Sequence, residues 1–283
     1  RGVTPERVEQ RIAALIKQGE LLQEKSERLD KAVVLVTTRE AIAQEQRILA
    51  AMAAGIGAGR PLMDAGAAAL RLQELAGDRE LNGQQLAAAI QIVASEDRIV
   101  LVQGRAGAGK STMLPPVAKA EALDAAARLL GSAGKAATLL AGDAKGGARA
   151  LAFQNKMVAD LHEDTGLETL TVHSFIARNA RFLDGTASVE AFAARKAELA
   201  DSYLILDEAS MISSEQMDKL TAIANLMEVG RLAIVGDRKQ LNPIDAGKSF
   251  ALMQARAFET GQGLAEVNIN MRQRTETMRA VAD

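Results

Sequence analysis

Gly104, Gly109, Lys110 and Ser111 stand in "GRAGAGKS" at the spacing G-x-x-x-x-G-K-[ST]. Chemistry that grips phosphate needs these types at these places. Glycine lets successive backbone N–H groups turn inward toward anionic oxygens, a conformation most side chains forbid. The loop of Gly104, Ala106, Gly107, Ala108 and Gly109 is expected to wrap a triphosphate, with Thr112 in the first turn of the helix behind it. That helix adds partial positive charge at its N-terminus. Lys110 is placed to reach the β- and γ-phosphates and the Ser111 hydroxyl to ligate Mg²⁺. A glycine-rich turn with no ligand is the plain alternative. The apolar run "IVLV" before the loop and the helix-compatible stretch after it argue against that.

Further along, "YLILDEAS" sets Asp207 and Glu208 at the end of another apolar run. In a parallel sheet, ligands gather at the carboxyl ends of strands. Two adjacent carboxylates can divide the work there: Asp207 holds Mg²⁺ through water, and Glu208 orients and deprotonates an attacking water. Acidic residues also cap helices, which is the alternative for the pair taken alone. A third strand end, "LAIVGDRKQLNPI", offers Gln240 as a sensor of the γ-phosphate or the nucleophilic water, with Asp237 anchoring the loop; a solvated turn is the alternative. "INMRQR" carries Arg272 and Arg274. An arginine near the γ-phosphate stabilises the charge that develops in phosphoryl transfer. Ahead of the phosphate loop, "LNGQQ" holds Gln84 and Gln85. An amide there can pair with an adenine edge, donating and accepting at once, or sit on a polar helix face.

Strands and helices must hold these groups. Short apolar runs at 99–102, 148–153, 168–172, 203–206 and 232–235 alternate with helical segments. That alternation predicts an α/β fold, a parallel sheet with helices on both faces, over residues 81–283. Residues 1–80 read as a small, mainly helical N-terminal region. Within it, residues 4–29 read as one helix with Thr4 at the N-cap, Pro5 at N1, and Val8, Ile12, Leu15 and Ile16 on one face. Val33 to Val36 is a candidate short strand, and Thr37 with Glu40 has capping-box spacing for the next helix. Pro115 and Pro116 are expected in the first turns behind the phosphate loop, where a missing N–H costs least.

Composition bounds the rest. The 283 residues are 48% hydrophobic but only 2% aromatic, so the core must be aliphatic. A net charge of -2 excludes a broadly basic DNA-coating protein and leaves room for a local basic groove. The absence of cysteine rules out disulfides and cysteine zinc sites. No apolar run approaches the ~20 residues a bilayer needs, and no signal pattern opens the chain, so no membrane partner and a cytoplasmic location are expected. The chain opens without Met and reads as a piece of something longer.

In this order the elements resemble the first motor domain of a superfamily 1 DNA helicase of the RecD-like branch. "GRAGAGKST", "LDEASM", "GDRKQLNPI" and "MRQR" look like its motifs I to IV, "LNGQQ" like its Q motif, and "LAFQNKM" and "TLTVHSF" like motifs Ia and Ic. The finer similarity is to the helicase part of conjugative relaxase–helicases, over roughly residues 30–283. The resemblance implies a RecA-like P-loop NTPase lobe that uses ATP and Mg²⁺. It implies Gln85 on the base, Lys110 and Ser111 on phosphate and metal, and Asp207 supporting the metal. Glu208 would be the base, Gln240 the link between nucleotide state and DNA, and Arg272 a contact to the γ-phosphate. Single-stranded DNA would cross Gln154, Asn155, Lys156, Thr171, His173 and Phe175. The family also implies 5′-to-3′ movement in plasmid conjugation. Its partners in the full-length protein are a second RecA-like lobe and a relaxase domain, and this lobe alone should turn over weakly or not at all. Two other readings compete: a helicase-like lobe kept only to bind single-stranded DNA, and a different P-loop NTPase. The intact set Lys110, Asp207, Glu208 and Gln240 favours a working motor.

Overall fold

Runs such as "IVLVQG" and "RLAIVG" have no polar face, so they suit strands covered on both sides. The computed structural model describes residues 4–28, 31–78, 80–105, 108–131, 149–200, 202–238 and 248–268. Along the chain come α1 (Pro5–Lys17), β1 (Leu21–Arg28), β2 (Lys31–Thr38), α2 (Arg39–Ala54), α3 (Ala65–Ala76) and α4 (Gly83–Ala94). Then follow β3 (Ile99–Gly104), α5 (Lys110–Gly131), β4 (Arg149–Ala152), α6 (Asn155–Thr165), β5 (Glu168–Thr171), α7 (Val172–Leu183) and α8 (Val189–Leu199). The rest is β6 (Tyr203–Leu206), α9 (Ser214–Leu226), β7 (Arg231–Gly236), α10 (Ser249–Thr260) and β8 (Leu264–Val267).

Six strands form one sheet in the order β5-β4-β6-β7-β3-β8, and every neighbouring pair is parallel. Alternate residues of a strand point to opposite faces. Ile99, Leu101, Leu204, Leu206, Leu232 and Ile234 therefore join one core, with side chains of α2, α7, α9 and α10. Val100, Val102, Tyr203, Ile205, Ala233 and Val235 join the other, with α3, α4, α5 and α6. The expected parallel sheet with helices on both faces is the observed one. β8 was not foreseen as a strand: "LAEV" is four residues with a charged one among them, too short for a periodic signal.

By packing, the chain divides into two units, Arg1–Arg47 and Ile48–Asp283. The division expected near residue 80 follows element type; this one follows packing. The region before residue 80 is mainly helical, but the single helix expected over 4–29 ends at Lys17. Gly19, at φ +75°, breaks it in the left-handed region that glycine tolerates. Residues 21–28 then pair antiparallel with 31–38, from Leu21–Thr38 to Arg28–Lys31. The β-branched run "KAVVLVTT" supplies a partner that overrides the helix-forming residues of "LLQEKSER". The hydroxyl capping α2 belongs to Thr38, which accepts from the Ala41 N–H at 3.0 Å, rather than to Thr37. Pro115 and Pro116 also depart from expectation. They lie inside α5, beyond its first turn, where each forfeits a helix hydrogen bond.

Candidate active site

β6, β7 and β3 are consecutive in the sheet and parallel, so their carboxyl ends, Leu206, Gly236 and Gly104, share one edge. Strands lie about 4.8 Å apart, so polar loops leaving all three ends converge within about 10 Å. The sheet topology thus brings together three of the sequence-predicted segments.

The phosphate loop leaves β3 at Gly104. A Cβ on Gly104 would lie 2.6 Å from the Lys110 side chain, so the backbone must be bare for the lysine to fold over it. Lys110 is buried, at 7% exposure, and its Nζ donates to the Gly104 carbonyl at 2.9 Å. The loop is also tied outward: the Arg105 N–H donates to Val267 O at 3.2 Å, and the Ala108 N–H to Arg105 O at 3.1 Å. Gly109 closes it at φ +75°. Ala106 and Gly107 lie outside the described residues, as does the side chain of Ser111; Thr112 is half-buried in the first turn of α5.

Asp207 follows β6. Its Oδ1 accepts from the Glu208 N–H at 2.8 Å. Burial, with the Glu208 charge second, pushes its carboxyl up to about 6, while the Lys110 charge pulls the other way. Lys110 and Asp207 are therefore in electrostatic reach of each other. Glu208 has φ 51° and ψ 44°, a left-handed conformation costly for a non-glycine residue and one that clusters at working sites. Its Oε2 is buried without a hydrogen-bond partner. Beside the pair opens a cleft of 190 Å³, lined by Asp160 and Asp164 of α6 with Ala152, Met157, Leu161, Asp207 and Glu208. Sequence reading missed the two α6 carboxylates; their i, i+4 spacing in "DLHEDTG" was the available signal.

Asp237, after β7, is buried and accepts from Gln103 Nε2 at 3.0 Å. Gln103 Oε1 takes the Arg238 N–H at 3.0 Å and Gln254 Nε2 of α10 at 2.8 Å. Gln103 sits one residue before the phosphate loop, so this buried network joins it to the loop after β7. Asp237 thus anchors its loop as expected, while the contributions of Gln103 and Gln254 were not foreseen. Gln240, Arg272 and Arg274 lie outside the described residues.

The remaining expectations divide. Gln85 is 1% exposed, with both ends of its amide engaged within the chain. Its Oε1 accepts from the Asn82 N–H at 3.0 Å, and its Nε2 donates to Ala108 O at 3.2 Å and Gly109 O at 3.1 Å. Gln84 is half-buried and accepts from the Asn268 N–H at 2.8 Å. Gln154, Asn155, Lys156 and His173 are exposed at the carboxyl ends of the paired strands β4 and β5. Thr171 stands with them, but its hydroxyl caps α7, accepting from the Ser174 N–H at 3.1 Å and donating to Ser174 Oγ at 2.9 Å. Phe175 is 0% exposed within the core, so it presents no face on which a base could stack. Arg178, exposed on α7, is a cation that sequence reading passed over.

Magnesium and a triphosphate fit this donor set. Lys110 holds a backbone carbonyl it can exchange for phosphate, Asp207 carries a carboxyl that a cation would ionise, and the orphaned Glu208 Oε2 awaits a proton donor such as water. Among the described residues no helix is long and apolar enough to cross a membrane.

Comparison with known proteins places this site in context. A family model described as AAA domain matches residues 80–283. The conjugal transfer protein TraA of Agrobacterium fabrum (strain C58 / ATCC 33970) is 33% identical over 192 residues, covering 68% of this chain and 14% of that protein. The conjugal transfer protein TraA of Rhizobium radiobacter is 34% identical over 192 residues, again 68% and 14%. A crystal structure of the Pif1 helicase from Candida albicans is similar at 21% identity with a TM-score of 0.44, covering 71% of this chain and 42% of that one. The chain thus spans about a seventh of the length of the curated relatives it matches.

Proposed function

The chain belongs to the AAA domain family over residues 80–283, and from that premise we propose that it is the first motor lobe, residues 81–283, of an ATP-dependent helicase that moves 5′ to 3′ on single-stranded DNA during plasmid conjugation. The observation that carries this reading is the shared sheet edge, where Lys110 on one strand end lies within electrostatic reach of Asp207 two strands away. The names of the similar proteins support the setting in conjugal transfer. Because the matched region is only 14% of those proteins, a second motor lobe and a relaxase domain are proposed as parts of the full-length protein. A cytoplasmic location belongs to the same reading.

Lys110 would leave the Gly104 carbonyl for the β- and γ-phosphate oxygens, opposing their charge from a buried position. Ser111 and Asp207 would hold Mg²⁺, which when bound neutralises charge on the phosphates. Glu208 would orient a water in line with the γ-phosphorus and take its proton on Oε2. Gln240 would sense the γ-phosphate and pass its state to the DNA path, and Arg272 would stabilise the leaving charge. On the neighbouring strand ends, Gln154, Asn155, Lys156 and His173 suit phosphate and base contacts on a single strand.

Hydrolysis measured on the full-length protein with and without single-stranded DNA tests the reading. The expected outcome is strong stimulation by DNA, and a loss of at least ~10²-fold in turnover on Lys110→Ala with the fold retained by circular dichroism. DNA binding with no turnover would leave a binding module. Turnover indifferent to DNA would leave another kind of P-loop NTPase.

A further inference from the structure

We propose that Gln103 is a positioning residue that ties occupancy of the phosphate loop to the loop leaving β7, and that Gln254 of α10 sets the direction of its amide. Gln103 stands next to Gly104, whose carbonyl accepts from Lys110 Nζ. It is registered opposite Gly236 of β7, so its side chain meets the two residues that follow that strand. The direction of the bonds is forced. The Arg238 N–H can only donate, so the amide atom facing it is Gln103 Oε1, and Nε2 turns to the Asp237 carboxylate, which only accepts. Gln254 therefore meets an oxygen and donates its Nε2 at 2.8 Å, which strands its own Oε1, buried with no partner among the described residues. Burying an acceptor without a donor is unfavourable, and an apolar side chain at 254 would avoid it, so stability does not explain the arrangement. What it provides is a link between strand ends. Gly236 is bare where α10 closes on it: a Cβ there would lie 2.8 Å from the Phe250 ring and 3.2 Å from the Ala209 nitrogen. The Asp237 N–H reaches Ser210 Oγ at 3.4 Å, two residues past Glu208. When Lys110 exchanges the Gly104 carbonyl for phosphate, the Gln103 amide gives that change a direct polar route to Asp237 and Arg238, and onward to the segment carrying Gln240.

The proposal rests on the motor reading in its nucleotide arms and stands apart from it in the free protein. Gln254→Met removes the orphaned acceptor together with the group that holds Gln103 Oε1, and touches neither nucleotide nor metal. All measurements use the full-length protein, with the urea midpoint as the check on folding. Without nucleotide, the Arg238 amide should exchange about tenfold faster in Gln254→Met than in the parent. Mg²⁺ with a non-hydrolysable ATP analogue should slow that amide in the parent, and the slowing should be lost in the variant. DNA-stimulated kcat should fall about tenfold while KM for ATP stays within about twofold, the split expected of a residue that positions the reacting groups. A second pair isolates the contact itself. Gln103→Glu keeps both accepting bonds but sets a carboxylate against Asp237; adding Asp237→Asn restores a bond there with its direction reversed and the parent's charge. Turnover lost in the single variant should return to within about threefold in the double one. Unchanged Arg238 exchange in Gln254→Met overturns the proposal, as does a rise in KM alone or a double variant no better than Gln103→Glu. If even the parent binds no nucleotide, the motor reading falls, and exchange in the free protein still decides whether Gln254 holds Gln103.

Discussion

Asp207 shows how a working residue burdens the fold that carries it. Its carboxyl is raised to about 6 by burial, and next by the charge of Glu208. An acid whose pKa is higher folded than unfolded binds its proton more tightly in the native state. The contribution of Asp207 to stability is therefore most favourable below about pH 4, declines as pH rises from about 4 to about 6, and is flat above. A shift of that size corresponds to a cost of about 2–3 kcal/mol. Asp207→Asn keeps an oxygen for the Glu208 N–H and removes the charge. In metal-free chain at pH 7.5 this variant should be more stable by ~2 kcal/mol in denaturant titrations, an advantage that vanishes by pH 4. In the full-length protein it should lose Mg²⁺-dependent turnover. Equal midpoints at pH 7.5 would show that the Asp207 charge is tolerated without a cation.

Elements were legible where one signal dominated. The strands β3, β6 and β7 are unbroken apolar runs, and the residues following them could be named as a site because parallel strands must share their carboxyl edge. Of the hairpin, β2 was legible in Val33–Val36 and β1 was not, because "LLQEKSER" is composed of helix formers and only its pairing with β2 makes it a strand. Phe175 was misjudged because motif position gives proximity to a ligand, but burial decides what a side chain can offer. The network between β3, β7 and α10 has the same character, being visible only once Gln103, Asp237 and Gln254 are seen together. Its members are unequal. Gln254 Oε1 is buried without a partner, so Gln254→Met gives up one bond and also removes an orphan, and should stay within ~1 kcal/mol of the parent. Gln103→Leu removes bonds to the Asp237 carboxylate, the Arg238 N–H and Gln254 at once, and should cost ~3 kcal/mol. Urea midpoints for the two variants check the ranking, and a larger loss for Gln254→Met would show that α10 rather than Gln103 is the hub.

At the scale of the molecule, charge limits how DNA can be held. The chain carries 34 basic and 36 acidic residues, so it has no net excess of positive charge with which to condense a strand. Its cleft beside Asp207 is lined by the carboxylates of Asp160, Asp164, Asp207 and Glu208, which repel a DNA strand that brings no cation. At the carboxyl ends of β4 and β5 stand the exposed cation Lys156, the amides Gln154 and Asn155, and His173. For single strands the salt dependence of binding scales as about -0.7 per phosphate neutralised. Two or three such contacts predict a slope of log K against log salt near about -2, measured by polarisation of a labelled oligonucleotide. Lys156→Ala should flatten it by about 0.7, and should weaken all sequences alike, because a phosphate contact carries no sequence information. A slope steeper than about -5 would require more cations than this edge presents, and would move the DNA path away from the β4–β5 edge.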